Sequence, residues 1–506
     1  MTNKIGALKI TICAAFISLF IAAFFLSPSS KISVVQISKN DSINPQNCAA
    51  CHQENYESWH QTAHRKTVEK ATIETVQGDF VREHILEYNG VKTEMTSDNG
   101  NFYVRIGEDN YKVAAVVGAK YIEQYVAEKD GEFYSLPIGY NLKEKRWINL
   151  NEADFVKKDA DFSRHLKNWK TDCAACHRSD ENNLQNDFAD FGISCSACHG
   201  NAAEHIESKN SWQAKLGFKT GNKIINPRNL SSDASMSVCA GCHARDLNET
   251  RSFETNELVS AHRQTDFNTE KTWANGSNKF SGNEYQAIVR SVCYVQSKSG
   301  GHGIAGEKIS CASCHSQHEP NAENVIAEKS YDQNCVQCHA QFSDDAAIVE
   351  HTKHPLNSEA GNCASCHQPE TVYGRMRFTR THEISVPNPV LTVEKQIPNA
   401  CNLCHTDESA NWAITSSKKL WAERFRDAEI STDRQFDQPE SVRALSSDDA
   451  FLRALAADSL YKHSDLNRSA IFLNEAYQAE KFPLVNYFLA NALKTENASF
   501  QILPNK

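Results

Sequence analysis

The chain has 506 residues, a mean hydropathy of −0.54 and a formal net charge of −10 at pH 7. This acidic balance argues against a nucleic-acid-binding protein, because phosphate backbones are bound by clusters of lysine and arginine. Eighteen cysteines and twenty histidines are a large number of both residue types, whereas the hydrophobic fraction of 40% is low for a chain of this size.

The amino terminus predicts an export signal. Lys4 and Lys9 precede an apolar run over residues 10–26, which would span roughly 26 Å as a helix. No clean small-residue cleavage site follows, so we expect residues 1–30 to remain as an anchor in the inner membrane. Cleavage is the alternative, and it would release a soluble periplasmic protein. In both cases the rest of the chain is predicted to face the periplasm.

Residues 31–79 are predicted to form a polar tether and to hold the first cysteine motif. Residues 80–150 lack cysteine, and turn pairs such as Asn89-Gly90 and Asn99-Gly100 alternate there with short runs rich in valine, isoleucine, tyrosine and phenylalanine. This alternation is typical of β-hairpins, and it predicts a small antiparallel β insert.

The remaining chain is predicted to be helical or irregular. Residues 151–410 carry seven further cysteine motifs at short intervals, and residues 411–506 have apolar side chains at helical spacing. The predicted fold class is therefore mainly short α-helices and loops wrapped around prosthetic groups, with a small antiparallel β insert and a C-terminal helical cap.

Sixteen of the cysteines form eight copies of one pattern, Cys-x-x-Cys-His. We number these copies motif 1 to motif 8 in chain order. They are Cys48–Cys51–His52, Cys173–Cys176–His177, Cys195–Cys198–His199, Cys239–Cys242–His243, Cys311–Cys314–His315, Cys335–Cys338–His339, Cys363–Cys366–His367 and Cys401–Cys404–His405.

The pattern is typical of covalent haem attachment. Two cysteines three positions apart can add to the two vinyl groups of one haem, and the histidine after them then reaches the iron. Zinc sites and redox Cys-x-x-Cys pairs are the alternatives, but neither requires a histidine after every pair. The sequence therefore predicts eight c-type haems, each with two covalent cysteines and one proximal histidine.

The second axial ligand decides whether an iron is closed, as in an electron carrier, or open to a small molecule. Twelve histidines lie outside the motifs, and eight distal ligands are needed. The candidate distal ligands are His64, His205, His318, His382, His165, His262, His351 and His354.

The remaining histidines have weaker assignments. His302, between glycines, is interpreted either as a ligand or as a solvent-exposed histidine. His84 and His463 are predicted to be surface or core residues, and His60 shares a predicted helix with His64. Cys293, which lies outside the motifs beside Tyr294, could shape a catalytic pocket, but a lone cysteine is more often a small buried apolar residue.

Several segments resemble one known family. They include motif 1 with Trp59 and His64 after it, Asn168-Trp169 before motif 2, motif 5 with His318, and the segment from Arg380 into motif 8. Over roughly residues 45–425 the chain resembles the octahaem multihaem c-type cytochromes with doubled Cys-x-x-Cys-His motifs, whose members often carry tetratricopeptide or HEAT-like helical tails. Related octahaem enzymes reduce nitrite, tetrathionate or similar oxyanions. The nitrite-reducing type has a Cys-x-x-Cys-Lys motif, which this sequence lacks.

Three functions follow as hypotheses. The favoured one is a periplasm-facing electron conduit between redox protein partners or quinol-linked donors. The second is a terminal reductase of a nitrogen or sulfur compound, with one open haem and a small oxyanion as substrate. The third is a structural or sensing module in which haems chiefly provide the core.

Overall fold

The computed structural model describes residues 44–496, apart from 82–83, 119, 178–191, 201, 212–213, 215, 217–223, 245–271, 281, 283, 299–308, 319–330 and 465. The predicted anchor, residues 10–26, therefore lies outside the described residues. Among the residues that are described, none of the helices combines the length and the apolar character needed to cross a bilayer.

A nine-stranded antiparallel sheet fills the amino-terminal part of the described chain. Its strands are β1 (Val68–Lys70), β2 (His84–Tyr88), β3 (Val91–Asp98), β4 (Asn101–Ile106), β5 (Asp109–Val117), β6 (Ile122–Lys129), β7 (Glu132–Asn141), β8 (Arg146–Asn149) and β9 (Lys167–Asn168). Strands β2 to β8 pair in chain order, β1 adds to β5, and β9 adds to β7. Because β2 also contacts β8, the sheet is nearly closed.

The turn residues explain this up-and-down order. Asn89-Gly90, Asn99-Gly100 and Asp130-Gly131 all have positive φ at both positions, as the tight hairpin turns that match strand twist require. Inside the curve of the sheet the fully buried side chains include Met95 and Leu136.

The predicted fold class is wrong because it underestimates the amount of β structure. The protein has a mixed fold, in which a large nearly closed sheet stands beside many helices. Strand β7 is buried from Ser135 to its end, and Gly139 on it lies against Leu150. Strands covered on both faces lack the alternation of apolar and polar residues that marks a half-exposed strand. The extent of the sheet was therefore underestimated.

Two short helices precede the sheet, and the other helices follow it. In chain order the α-helices of the described residues are α1 (Gln46–Ala49), α2 (Gln53–His60), α3 (Trp169–Asp172), α4 (Ala174–His177), α5 (Ser196–His199), α6 (Ala202–Asn210), α7 (Ser232–His243), α8 (Glu284–Arg290), α9 (Val292–Lys298), α10 (Tyr331–Val336), α11 (Asp345–Thr352), α12 (Cys363–His367), α13 (Val390–Lys395), α14 (Ala400–Cys404), α15 (Ala410–Leu420), α16 (Ala422–Phe425), α17 (Glu440–Leu445), α18 (Ala450–His463), α19 (Leu466–Ala479) and α20 (Pro483–Glu496). A second small sheet pairs β10 (Glu370–Gly374) with β11 (Arg377–Arg380).

The last helices pack on the outer face of the large sheet. Leu452, Leu473 and Leu489, from α18, α19 and α20, share one buried cluster with Ile122 and Ile148 of the sheet. Burial of side chains of this size stabilises the contact by about 2 kcal/mol each. The C-terminal helices are thus attached to the sheet by a continuous apolar core.

Candidate haem sites

Each motif is closed by one helical turn. The backbone N–H of the motif histidine donates to the carbonyl of the first cysteine, for example from His52 to Cys48 at 2.8 Å and from His405 to Cys401 at 2.9 Å. A single turn of this kind brings two side chains three positions apart to one side. The local geometry therefore presents both cysteines of a motif to the same group.

Six motif histidines face a histidine from elsewhere in the chain. The separations between ring centroids lie between 6.0 and 6.5 Å. The pairs are His52 with His205, His64 with His243, His199 with His318, His315 with His382, His351 with His367, and His354 with His405.

This spacing fits two imidazoles bound to opposite sides of one metal ion. Two metal–nitrogen bonds of about 2.0 Å, together with the distance of roughly 1 Å from each nitrogen to its ring centre, give about 6 Å. No cluster of three or more histidine, cysteine or acidic side chains that could hold a metal occurs among the described residues. In haem, the porphyrin supplies the remaining ligands of an iron that two histidines hold.

Backbone carbonyls fix the orientation of several of these rings. Nδ1 of His199 lies 2.6 Å from the carbonyl oxygen of Ile225, and Nδ1 of His367 lies 2.8 Å from that of Ser385. A ring held through Nδ1 leaves Nε2 as the ligand atom. His199 and His367 are therefore oriented for axial ligation by contacts outside their motifs.

Burial keeps several paired rings neutral. Burial, reinforced by the neighbouring His243 and His315, lowers the pKa of His64 to about 4, and burial also lowers the pKa of His382. The neutral imidazole is the form that binds a metal. Both side chains are thus in their ligating state at neutral pH.

The structure does not bring every candidate ligand to a motif histidine. Nε2 of His165 lies 3.2 Å from Asp154, and within the described residues His165 forms no ring pair with a motif histidine. His262 lies outside the described residues, as does His302.

The histidines that were not chosen as candidate ligands lie apart from these pairs. Nε2 of His84 lies 3.0 Å from Asp79, and His60 packs beside Tyr56 and Trp59. His463 lies near Cys404, at 3.9 Å from its Sγ.

Neighbouring motifs lie close to one another in the first half of the arrangement. Cys48 of motif 1 lies close to Cys195 of motif 3. Cys198 of motif 3 lies close to Cys239 of motif 4. Motif 2 contacts motif 4, because Sγ of Cys176 lies 3.9 Å from the carbonyl oxygen of Gly241.

The second half continues in chain order. Cys239 of motif 4 lies close to Cys311 of motif 5. Cys314 of motif 5 lies close to Cys335 of motif 6. Helix α10 of motif 6 contacts helix α12 of motif 7. Cys366 of motif 7 lies close to Cys401 of motif 8. Neighbouring motifs therefore follow one another from motif 1 to motif 8, with motif 2 as a branch at motif 4.

One residue near the motifs was not predicted from the sequence. The carboxylate of Glu284, at the start of α8, lies 3.8 Å from Nδ1 of His243. Nothing in its local sequence marks Glu284, because the two residues meet only through the packing of α8 on α7.

Comparisons with known proteins give matches of three kinds. A family model described as doubled CXXCH motif matches residues 302–344, and one described as cytochrome c554 and c-prime matches residues 47–95. The multiheme cytochrome MtrA of Shewanella baltica (strain OS185) is 22% identical over 230 residues, which are 41% of this chain and 65% of that protein. The match thus spans less than two thirds of the relative's own length.

A solved structure is similar in fold. The outer cell wall cytochrome OcwA superposes with a TM-score of 0.52 at 15% identity, over 90% of this chain and 100% of that one. The repeated Cys-x-x-Cys-His motifs, the histidine pairs at the spacing of axial ligands and the fold are thus all features in which this chain is similar to multihaem c-type cytochromes.

Proposed function

We propose that the chain carries eight covalently attached haems and transfers electrons along them between redox partners outside the cytoplasm. When bound, a c-type haem supplies one-electron redox chemistry. The observation that carries the proposal is the succession of neighbouring motifs from motif 1 to motif 8, with Cys48 close to Cys195 at one end and Cys366 close to Cys401 at the other. Motifs arranged in this way would hold successive haems as neighbours.

The residues of the chain would perform three tasks in this function. The motif cysteines would fix each haem in position, and the six histidine pairs would occupy both axial positions of their irons. An iron with two histidine ligands exchanges electrons without binding substrate.

The expected location and partners follow from several features. The predicted export signal and the name of the similar structure, an outer cell wall cytochrome, support a place outside the cytoplasm. The net charge of −10 favours encounter with basic redox proteins, and quinol-linked donors remain a second class of partner. An inner-membrane anchor over residues 10–26 stays a prediction.

Electron redistribution within one molecule tests the conduit directly. The purified protein would be assayed for haem content and then given less reductant than it has haems, while absorbance is followed by stopped flow. We expect eight haems per chain and a redistribution rate that does not depend on protein concentration. A rate that rises in proportion to concentration would mean transfer between molecules and would refute the conduit.

A second function, terminal reduction at motif 2, is favoured by one observation. Within the described residues no histidine forms a ring pair with His177, whose ring contact is with Trp169 at 6.0 Å. Burial first, and the positive charge of Arg375 second, lower the pKa of His177 to about 4. An iron with one protein ligand beside a cation would suit a small anion such as nitrite or sulfite.

Spectroscopy separates the two functions. An open site at motif 2 predicts a high-spin signal in the oxidised protein that changes when nitrite, hydroxylamine or sulfite is added. If no signal responds to any of these molecules, motif 2 is closed and the reductase is refuted.

A further inference from the structure

The histidine pair at motif 4 differs from the other pairs in ring orientation. The planes of His64 and His243 are 83° apart, whereas the other five pairs in the described residues have interplanar angles between 8° and 42°. Nearly perpendicular imidazoles perturb the iron d orbitals equally in both directions. Motif 4 should therefore have its own spectroscopic signature.

The same pair has an unusual outer contact. Nδ1 of His243 faces the carboxylate of Glu284 at 3.8 Å, which is within ion-pair range and longer than a direct hydrogen bond. By contrast, Nδ1 of His199 and Nδ1 of His367 face neutral backbone carbonyls. The side chain of Glu284 is only 22% exposed, so its charge is partly shielded from water.

An outer carboxylate changes what an axial histidine does. It increases the electron donation of the ring to the metal and places negative charge near the iron, and both effects favour the oxidised, more positive state. A neutral carbonyl in the same position has a weaker effect. The difference is larger where water is partly excluded, because the effective dielectric constant is lower there.

We propose that Glu284 is a positioning residue that acts through His243 and makes the haem of motif 4 harder to reduce than a neutral contact would. The inference rests on the proposed function, because it requires a haem at motif 4. The inference adds to that function a residue that sets the reduction potential of one haem within the conduit. Motif 4 lies next to motifs 2, 3 and 5, so the potential at this junction influences electron transfer between motifs 1, 2 and 3 on one side and motifs 5 to 8 on the other.

The test follows the midpoint potential of one signal. In the oxidised protein, the near-perpendicular pair of motif 4 should give a low-spin electron paramagnetic resonance signal with the largest g value. A potentiometric titration monitored at that signal would be compared between the wild type and Glu284→Gln. We expect the midpoint potential of this signal to shift upward in the variant, while the number of haems per chain stays the same.

Glu359→Gln is the matched control. The carboxylate of Glu359 also lies beside a histidine, at 3.9 Å from Nε2 of His463, but His463 has no ring pair with a motif histidine in the part of the chain described. This control removes the same charge without touching the contact at His243. It should leave the signal of motif 4 at its wild-type potential.

Two results would overturn the inference. One is an unchanged midpoint potential in Glu284→Gln, and the other is an equal shift in Glu359→Gln. Glu284→Asp, which keeps the carboxylate, should lie nearer to the wild type than Glu284→Gln, and it serves as the second variant if Glu284→Gln does not fold. Loss of the large-g signal from the wild type itself would instead contradict the histidine pair at motif 4, and with it the proposed conduit.

Discussion

His351 and His354 lie only three residues apart, yet their rings pair with different motif histidines, His367 of motif 7 and His405 of motif 8. Helix α11 ends at Thr352, and Lys353 adopts a left-handed conformation with φ of 59°. The chain therefore turns sharply between the two rings. One helix end could in this way supply a ligand to each of two neighbouring haems.

This relationship predicts that substitutions of His351 and His354 affect different haems. His351→Ala should convert the haem of motif 7 from low spin to high spin, and His354→Ala should convert that of motif 8, because each loses one axial ligand. Spin quantitation by electron paramagnetic resonance would show one converted haem in each variant and two in the double variant. A double variant with only one converted haem would contradict the assignment.

The next prediction contrasts two candidate ligands that the structure places differently. His318→Ala should convert one haem to high spin, because His318 faces His199 at 6.0 Å. His165→Ala should leave the visible and paramagnetic spectra unchanged, since His165 lies beside Asp154. High-spin haem in the His165 variant, or none in the His318 variant, would show that the pairing is misassigned.

A pH-dependent stability is predicted at Asp458. Burial raises the pKa of this carboxyl from 3.8 to about 6, although Lys462 lies 2.8 Å away. Because the folded-state pKa is raised, the contribution of this group to stability is complete below its unfolded pKa and is lost as the pH rises through 6. Asp458→Asn should therefore be more stable than the wild type at pH 8, by up to about 3 kcal/mol.

The measurement is thermal unfolding of the two proteins at fixed haem redox state between pH 4 and pH 8. The difference in Tm should shrink as the pH falls through 6 and should be smallest near pH 4. A variant that is less stable than the wild type at pH 8 would mean that the ion pair with Lys462 outweighs the cost of burial.

The packing of the C-terminal helices on one another can be tested at a buried ion pair. Arg453 of α18 donates from Nε and Nη2 to Glu480, at 2.6 and 2.8 Å, and the side chain of Glu480 is 1% exposed. Arg453→Met would leave a buried carboxylate without its partner and should lower the free energy of unfolding by about 3 kcal/mol. The double variant with Glu480→Leu should recover most of this loss.

Arg105→Met is the control for this prediction, because Arg105 pairs with Glu94 on an exposed part of the sheet. Exposed pairs contribute less than about 1 kcal/mol. Denaturant unfolding of the three variants provides the comparison. Equal destabilisation by Arg453→Met and Arg105→Met would contradict the burial argument.

The local structure of this protein, such as helical turns and hairpins, could be predicted from its sequence. The motifs specify their own helical turns, because the contact from His52 to Cys48 spans only four residues. The Asn-Gly turns after residues 88 and 98 likewise predicted hairpins. The size of the sheet was missed because β5, β6 and β7 are largely buried, so their sequences do not alternate as those of half-exposed strands do.

Long-range partners could not be predicted in the same way. The sequence named His64 and His382 as candidate ligands, but not that they face His243 and His315. Such pairs depend on how distant segments pack, and no spacing rule connects them. The role of Glu284 could not be predicted for the same reason, because it depends only on the position of this residue beside His243. The domain boundaries and the ligand assignments stay predictions.

The most direct test of the account is spin quantitation of the oxidised, haem-loaded protein by electron paramagnetic resonance, with and without nitrite. The six histidine pairs predict at least six low-spin haems per chain that nitrite does not change, one for each pair. Fewer than six low-spin haems, or a nitrite-induced change in those six, would contradict it.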